Sequence, residues 1–173
     1  NIASKLSPTS AKDVVDEFGN KIKFILDGGQ CKIGLESTII DLTVKPTILR
    51  PGSISAEKIQ KILKKKITIN NNPKKIKGPG QLKLHYSPGI PIIMNRKYPE
   101  KNQAFITFGK KFKSRKNYFN LSKKNDLKEA ANNLYKVMRK IKKSKFKSIA
   151  VTEIPNIGIG RAINDRLIKA SNK

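Results

Sequence analysis

The chain has 173 residues, with 38 Lys or Arg against 12 Asp or Glu, for a formal net charge of +26. Its one cysteine, Cys31, and one histidine, His85, exclude an intramolecular disulfide and a Cys/His cluster for a transition metal, and a lone thiol suits a reducing, cytoplasmic setting. No apolar run approaches the roughly 20 residues of a membrane-spanning helix, so no membrane partner is expected.

In chain order, the first expected element is a helix. Ser7 is placed as its N-cap and Pro8 at the first helical position, with Val14, Val15 and Phe18 as an apolar face and Gly19 as the stop. Free amides and the positive dipole end at such a start can hold an anion, although a plain capped helix is the commoner outcome. Residues 21–27 read as a strand. Ile39, Ile40 and Leu42, flanked by Thr38 and Thr43, make another strand, and residues 44–49 a third after a Lys45-Pro46 turn. Paired as a hairpin, the last two bring the hydroxyls of Ser37 and Thr38 beside Arg50, just ahead of Pro51-Gly52. These groups then either face one pocket suited to phosphate or carboxylate, or are a loop end and a solvated strand end.

Further along, Ser55 caps a helix through residue 65 with Ile59, Ile62 and Leu63 on its apolar side, and residues 66–70 form a short strand. Residues 70–89, rich in Asn, Lys, Pro and Gly, read as a linker too polar to pack as a core element. Strands follow at 90–94, 104–108 and 118–121. An amphipathic helix covers 126–143, with Leu127, Ala130, Leu134, Val137, Met138 and Ile141 on one stripe. A strand at 148–153 and a helix at 161–170 complete the pattern, and the alternation implies a small open α/β layer with parallel pairing. Gly158-Ile159-Gly160 lacks the third glycine of a dinucleotide fingerprint and reads as a loop leading into a helix. His85 has no Ser and Asp at triad spacing, and no metal site is expected.

Five blocks, in order, resemble the long form of the threonylcarbamoyl-AMP synthase family: Asn1 through Ser7-Pro8-Thr9; Asp27-Gly28-Gly29; residues 34–43, beginning Gly34-Leu35-Glu36-Ser37-Thr38; Ile48-Leu49-Arg50-Pro51-Gly52; and residues 78–88, Gly78-Pro79-Gly80-Gln81 through His85-Tyr86-Ser87-Pro88. The likeness continues through Ala131, Leu134 and Tyr135 to residues 158–167. Ser4 stands where the family often has Gly, and Ser87 where it often has Ala. The resemblance implies an α/β fold: residues 1–69 as the C-terminal half of a YrdC-like twisted-sheet catalytic domain, 70–89 as a linker and active-site lid, and 90–173 as a small Rossmann-like companion domain. The chain starts without Met, inside the family's Ser-Ala-Asn motif. It is therefore expected to be a C-terminal fragment, inactive alone, because the family's Lys-x-Arg motif belongs to the preceding half of the catalytic domain.

The activity so implied joins L-threonine, bicarbonate or CO2, and ATP into threonylcarbamoyl-AMP and pyrophosphate, for threonylcarbamoyladenosine in tRNA next to the anticodon. Carried over by the resemblance, Asn1, Ser7, Thr9 and Arg50 line the nucleotide, Ser37 and Thr38 the threonine or carbamate, and His85 and Tyr86 point inward from the lid. ATP is a substrate, Mg2+ is expected to accompany it, and the tRNA threonylcarbamoyl transferase machinery acts downstream. A second reading is a basic tRNA-binding or double-stranded-RNA-binding protein without catalysis. Only six of the basic residues are arginine, so the charge reads as compositional bias. A diffuse positive field nonetheless draws nucleic acid, although no strand carries the clustered aromatics of a single-stranded RNA platform.

Overall fold

The computed structural model describes residues 2–71, 73 and 75–172. The first helix, α1, runs Ala11–Phe18 and is capped by Ser10, not Ser7: the Ser10 hydroxyl accepts from the Asp13 amide at 3.2 Å. The start moves because Asp13 turns back on the chain, its carboxylate accepting from the Thr9 amide and hydroxyl at 2.8 and 2.9 Å. That reciprocal capping outcompetes a start at Pro8. Gly19, at φ +52°, ends α1 as expected, and a 3-10 turn follows at Gly19–Lys21.

The strand expected over residues 21–27 does not form. Among the described residues no strand lies alongside to take up its backbone bonds, and strand propensity stabilises only within a ladder. Phe24 and Leu26 are left 89% and 99% exposed.

The first sheet contains β1 (Ile39–Asp41), β2 (Thr47–Arg50) and β3 (Thr68–Ile69), in that spatial order. β1 and β2 pair antiparallel, Ile40 opposite Ile48, with an irregularity that sets Ile39 opposite Arg50. β2 begins three residues later than expected. Asp41 Oδ1 accepts from the Thr43 amide and hydroxyl at 2.9 and 2.6 Å, which locks the intervening residues into an Asx turn. β2 and β3 are parallel, joined by α2 (Ala56–Leu63), whose N-cap is Ser55. Ile48, Ile59 and Ile67 form the small core between helix and sheet.

The second sheet contains β4 (Ile92–Ile93), β5 (Gln103–Thr107), β6 (Tyr118–Asn120) and β7 (Ser148–Val151), ordered β4-β7-β5-β6 and wholly parallel, as the alternation of elements implies. α3 (Leu127–Lys142), capped by Asp126, buries Ala130, Ala131, Leu134, Tyr135, Met138 and Ile141. α4 (Gly160–Ser171) packs beside it and buries Ala162, Ile163, Leu167 and Ala170.

This core also takes in Leu6, Leu35 and Tyr86 from far earlier in the chain. Within 70–89, Gly80, Gln81, Tyr86 and Pro88 are therefore buried despite the segment's polar composition, while residues 75–77 and 82–84 stay exposed. Tyr86 is 1% exposed and Gln81 is buried. The segment's backbone bonds run to scattered partners instead of a ladder: the His85 amide donates to the Lys169 carbonyl at 3.2 Å, and the turn at 77–81 is held by one side chain. Gln81 Oε1 accepts from the Lys77 and Gly78 amides at 2.8 and 3.0 Å, and its Nε2 donates to the Leu49 and Asn70 carbonyls, both at 3.3 Å. A buried amide so fully partnered costs little to enclose.

Candidate functional site

The hairpin sets the first part of the site. Because β1 and β2 run antiparallel, the residues before β1 return beside the end of β2. Arg50 Nε donates to the Ser37 carbonyl at 3.0 Å and its Nη2 to the Ser37 hydroxyl at 3.1 Å. Ser37 and Arg50 are thus brought together. Thr38 turns elsewhere: its hydroxyl donates to the Ile54 carbonyl at 2.7 Å and accepts from the Ile54 amide at 3.1 Å, holding the loop after β2. Gly52 is required there, since a Cβ would collide with the Ser37–Thr38 peptide.

A second group of charges meets it from α4. Glu36 accepts from Arg166 Nε at 2.8 Å, from the Tyr135 hydroxyl at 3.0 Å and from the Ser7 hydroxyl. Arg166, wholly buried, also donates from Nη1 to Asp165 at 2.6 Å. Asp165 in turn pairs with Lys169 at 2.7 Å and accepts from Asn71 at 2.5 Å. Burial opposes ionisation of Glu36, but Arg166 and the Ser7 hydroxyl outweigh it and hold the carboxyl below its ordinary value. Burial also opposes the charge on Arg166, and Glu36 more than compensates. For Lys169 burial prevails over Asp165 and lowers the ammonium pKa.

Tyr86 closes the group. It takes a left-handed backbone, φ +59°, which is uncommon for an aromatic residue. Its ring meets that of His85 at a 43° tilt with 3.9 Å between centroids, and the Arg166 guanidinium lies 4.8 Å over its face. Gly80, at φ +81°, lies against both Tyr86 Oη and Arg50, and any side chain there would strike them. Burial raises the Tyr86 pKa, so it stays a phenol, and lowers that of His85, with Arg166, Lys169 and Arg50 nearby adding to the effect against Glu36. Ser4, one of the departures from the family pattern, is left-handed at φ +63°, the conformation glycine favours. Its carbonyl accepts from the Ser87 amide at 2.8 Å, which fixes the end of the Tyr86 segment.

Three cations, Arg50, Arg166 and Lys169, therefore face two carboxylates, Glu36 and Asp165. Two buried donors, the Tyr86 hydroxyl and Arg166 Nη2, have no acceptor among the described residues. A buried donor without an acceptor is costly, and an anion with lone pairs is the complement of such a set. Of the sequence-expected residues, Ser37, Arg50, His85 and Tyr86 gather around this cluster, and Ser7 reaches it through Glu36. Thr9 does not, because its hydroxyl is spent on Asp13 and it is 3% exposed. Asn1 lies outside the described residues. Glu36, Arg166, Asp165 and Lys169 carry most of the charge, and none of them was expected from the sequence as a site residue. Their signal was an acid inside an apolar run and three charges at i, i+1 and i+4 on the core side of α4.

Among the described residues no group of three or more His, Cys, Asp or Glu side chains could hold a metal ion, and both carboxylates of the cluster are committed to cations. A magnesium ion arriving with ATP would be held mainly by the phosphates and water, not by a carboxylate cluster of these described residues. None of the helices among the described residues is long and apolar enough to cross a membrane.

Residues 54–172 match the family model described as "Threonylcarbamoyl-AMP synthase, C-terminal domain", and residues 1–52 match one described as "Telomere recombination". The chain is 34% identical to the threonylcarbamoyl-AMP synthase of Pyrococcus abyssi, over 99% of this chain and 56% of that protein. It is 30% identical to that of Bacillus subtilis, over 99% and 55%. The crystal structure of P. abyssi Sua5 complexed with L-threonine superposes with a TM-score of 0.86 at 32% identity, over 99% of this chain and 56% of that one. A P. abyssi Sua5 variant with a histidine–tyrosine pair changed to alanine superposes at 0.80 and 30% identity, over 99% and 55%. The chain thus spans about half the length of these relatives. With a family model matched over residues 54–172 and relatives aligned along nearly its whole length, the chain belongs to the threonylcarbamoyl-AMP synthase family.

Proposed function

We propose that this chain forms part of an L-threonylcarbamoyladenylate synthase, a nucleotidyltransferase that makes threonylcarbamoyl-AMP and pyrophosphate from L-threonine, bicarbonate or CO2, and ATP. In the reaction an oxygen of the threonine carbamate attacks the α-phosphorus of ATP, and the bond to the β,γ-pyrophosphate breaks. Such a transfer asks for positioning and for cations facing the developing charge, with no covalent nucleophile. Arg50 binds phosphate, while Ser37, held by Arg50, faces the threonine or carbamate end with Thr38 behind it. Ser7 orients Glu36, and through it Arg166, toward the nucleotide.

Residues 1–69 contribute to the catalytic domain, 70–89 form the covering lid and 90–173 a companion domain, a division supported by the two separate sheets. His85 and Tyr86 close the lid over the hydrolysable product and exclude water. The chain's sole histidine is followed directly by tyrosine, the same pair of residue types replaced in the P. abyssi variant. The product passes to the tRNA threonylcarbamoyl transferase machinery, which places the reaction in the cytoplasm with its tRNA.

The observation that carries this reading is the gathering of Arg50, Arg166 and Lys169 with the Tyr86 hydroxyl, where that hydroxyl and Arg166 Nη2 are buried donors without an acceptor among the described residues. Calorimetry on the full-length protein tests it. Arg50→Ala is expected to weaken ATP binding by about 10- to 150-fold, because a hydrogen bond to a charged group is worth about 1.5–3 kcal/mol. Arg50→Lys, which keeps the charge but loses the fork, recovers part of that. Unchanged affinity in both folded variants would leave Arg50 a structural residue that fixes the hairpin.

A further inference from the structure

A second concave site lies on the other sheet, away from the cluster just described. The loop after β4, the loop after β5 and the residues ending β7 enclose a cavity of about 530 Å³. In open parallel sheets the crevice beyond the carboxyl ends of the strands is where ligands bind. Its lining is cationic and aromatic: Arg96, Lys97 and Tyr98 from the loop after β4, and Lys111, Phe112, Arg115 and Tyr118 from the segment between β5 and β6 and the start of β6. The sequence scatters these aromatics over separate segments, but the fold collects them. Phe105 packs edge-on against both Phe112 and Tyr118, at 5.6 and 5.1 Å between centroids. Lys111 stands 5.2 Å over Phe112 and Arg115 stands 5.3 Å over Tyr118. Tyr98 is 77% exposed at the rim. One carboxylate, Glu153, shares the wall, and Arg96 is 3.9 Å from Glu100.

We infer that this crevice binds a single-stranded nucleic acid, with phosphates on Arg96, Lys111 and Arg115 and a base stacked on Tyr98. A positive groove with an exposed aromatic ring, Tyr98, at its rim is a combination single strands use, since cations track the backbone and a ring accepts any base. A free mononucleotide would use a single phosphate contact and leave most of these cations idle, whereas a strand engages them in series.

The test is fluorescence anisotropy on the full-length protein, with an unstructured RNA of about ten nucleotides, the same sequence as DNA, and AMP as competitor. Two charge-matched variants separate the crevice from the background of lysines. Arg96→Gln/Lys111→Gln/Arg115→Gln is expected to weaken strand binding at least tenfold more than Lys58→Gln/Lys61→Gln/Lys65→Gln on and after α2. It should also reduce the slope of log K against log salt by about 2, from about 0.7 per phosphate contact. Tyr98→Ala, which leaves the charge unchanged, is expected to weaken binding about tenfold with the salt slope intact. None of these residues belongs to the Arg50–Arg166 cluster, so pyrophosphate release from ATP and threonine reports on the proposed activity independently. Tighter binding of the RNA than of the DNA, or the reverse, identifies which strand the crevice serves. Equal losses in the two triple variants, no effect of Tyr98→Ala, or full displacement of the strand by AMP at stoichiometric levels would each overturn the inference.

Discussion

Tyr86 shows how one side chain can divide between folding and function. Its ring is enclosed by His85, Tyr135 and the Arg166 guanidinium, while its hydroxyl has no acceptor among the described residues. Tyr86→Ala empties a core position and is expected to cost about 3–5 kcal/mol in denaturant unfolding. Tyr86→Phe removes only the unpartnered oxygen, so stability is expected to stay within about 1 kcal/mol. If the phenol donates to the bound adenylate, the same variant binds ATP with threonine several-fold more weakly by calorimetry. The sequence hid the folding half of this role because the neighbours of Tyr86 are polar, and composition reads a polar window as a solvated loop. What reverses that reading is a left-handed backbone at φ +59° that swings one ring inward, a conformational fact with no signature in residue spacing. Ser37 and Arg50 were legible for the opposite reason: two short β-branched strands around a tight turn leave few pairings, and each of them joins the two ends.

At the scale of elements, the turn at residues 78–81 fastens the 70–89 segment to β2. Gly80 is at φ +81° and faces Tyr86 and Arg50 with no room for a Cβ. Gly80→Ala is expected to destabilise the protein by more than about 1 kcal/mol and to speed tryptic cleavage after Lys77 and Lys83, followed by gel. Cleavage at the wild-type rate would mean that the turn can reshape at no cost. The second sheet was readable strand by strand because β5 and β7 are short apolar runs and α3 carries a continuous apolar stripe behind an Asp126 cap. The strand expected at residues 21–27 was not, because a ladder depends on what lies alongside. α1 began late because a capping contest among Ser7, Thr9, Ser10 and Asp13 is decided by three-dimensional reach, which a linear rule for N-caps does not contain.

For the whole molecule, polar contacts join segments about a hundred residues apart. Arg139 of α3 donates to the Ser7 and Leu6 carbonyls at 2.9 and 3.0 Å and pairs with Asp13 at 3.3 Å. Arg161 pairs with Glu57 at 2.6 Å, and Glu36 reaches Arg166 across 130 positions. Removing the charge from Glu36 leaves Arg166 buried with only Asp165 to balance it, so Glu36→Gln is expected to cost about 3 kcal/mol at neutral pH. The folded carboxyl titrates below its ordinary value of 4.5. Its contribution is therefore complete above that pH and is lost as pH falls through the lower, folded value. Urea titrations across that window should show a shallower acid slope for Glu36→Gln than for the wild type, and parallel curves would mean that the pair is energetically silent. The exposed Phe24 and Leu26 acquire another meaning beside a net charge of +26. Copies of the chain repel one another at low ionic strength. As the screening length shrinks from about 10 Å at 0.1 M salt to about 3 Å at 1 M, short-range adhesion through those two side chains is opposed by less and less. The colloidal behaviour of the chain in solution is set by a balance between a long-range barrier and a small sticky spot.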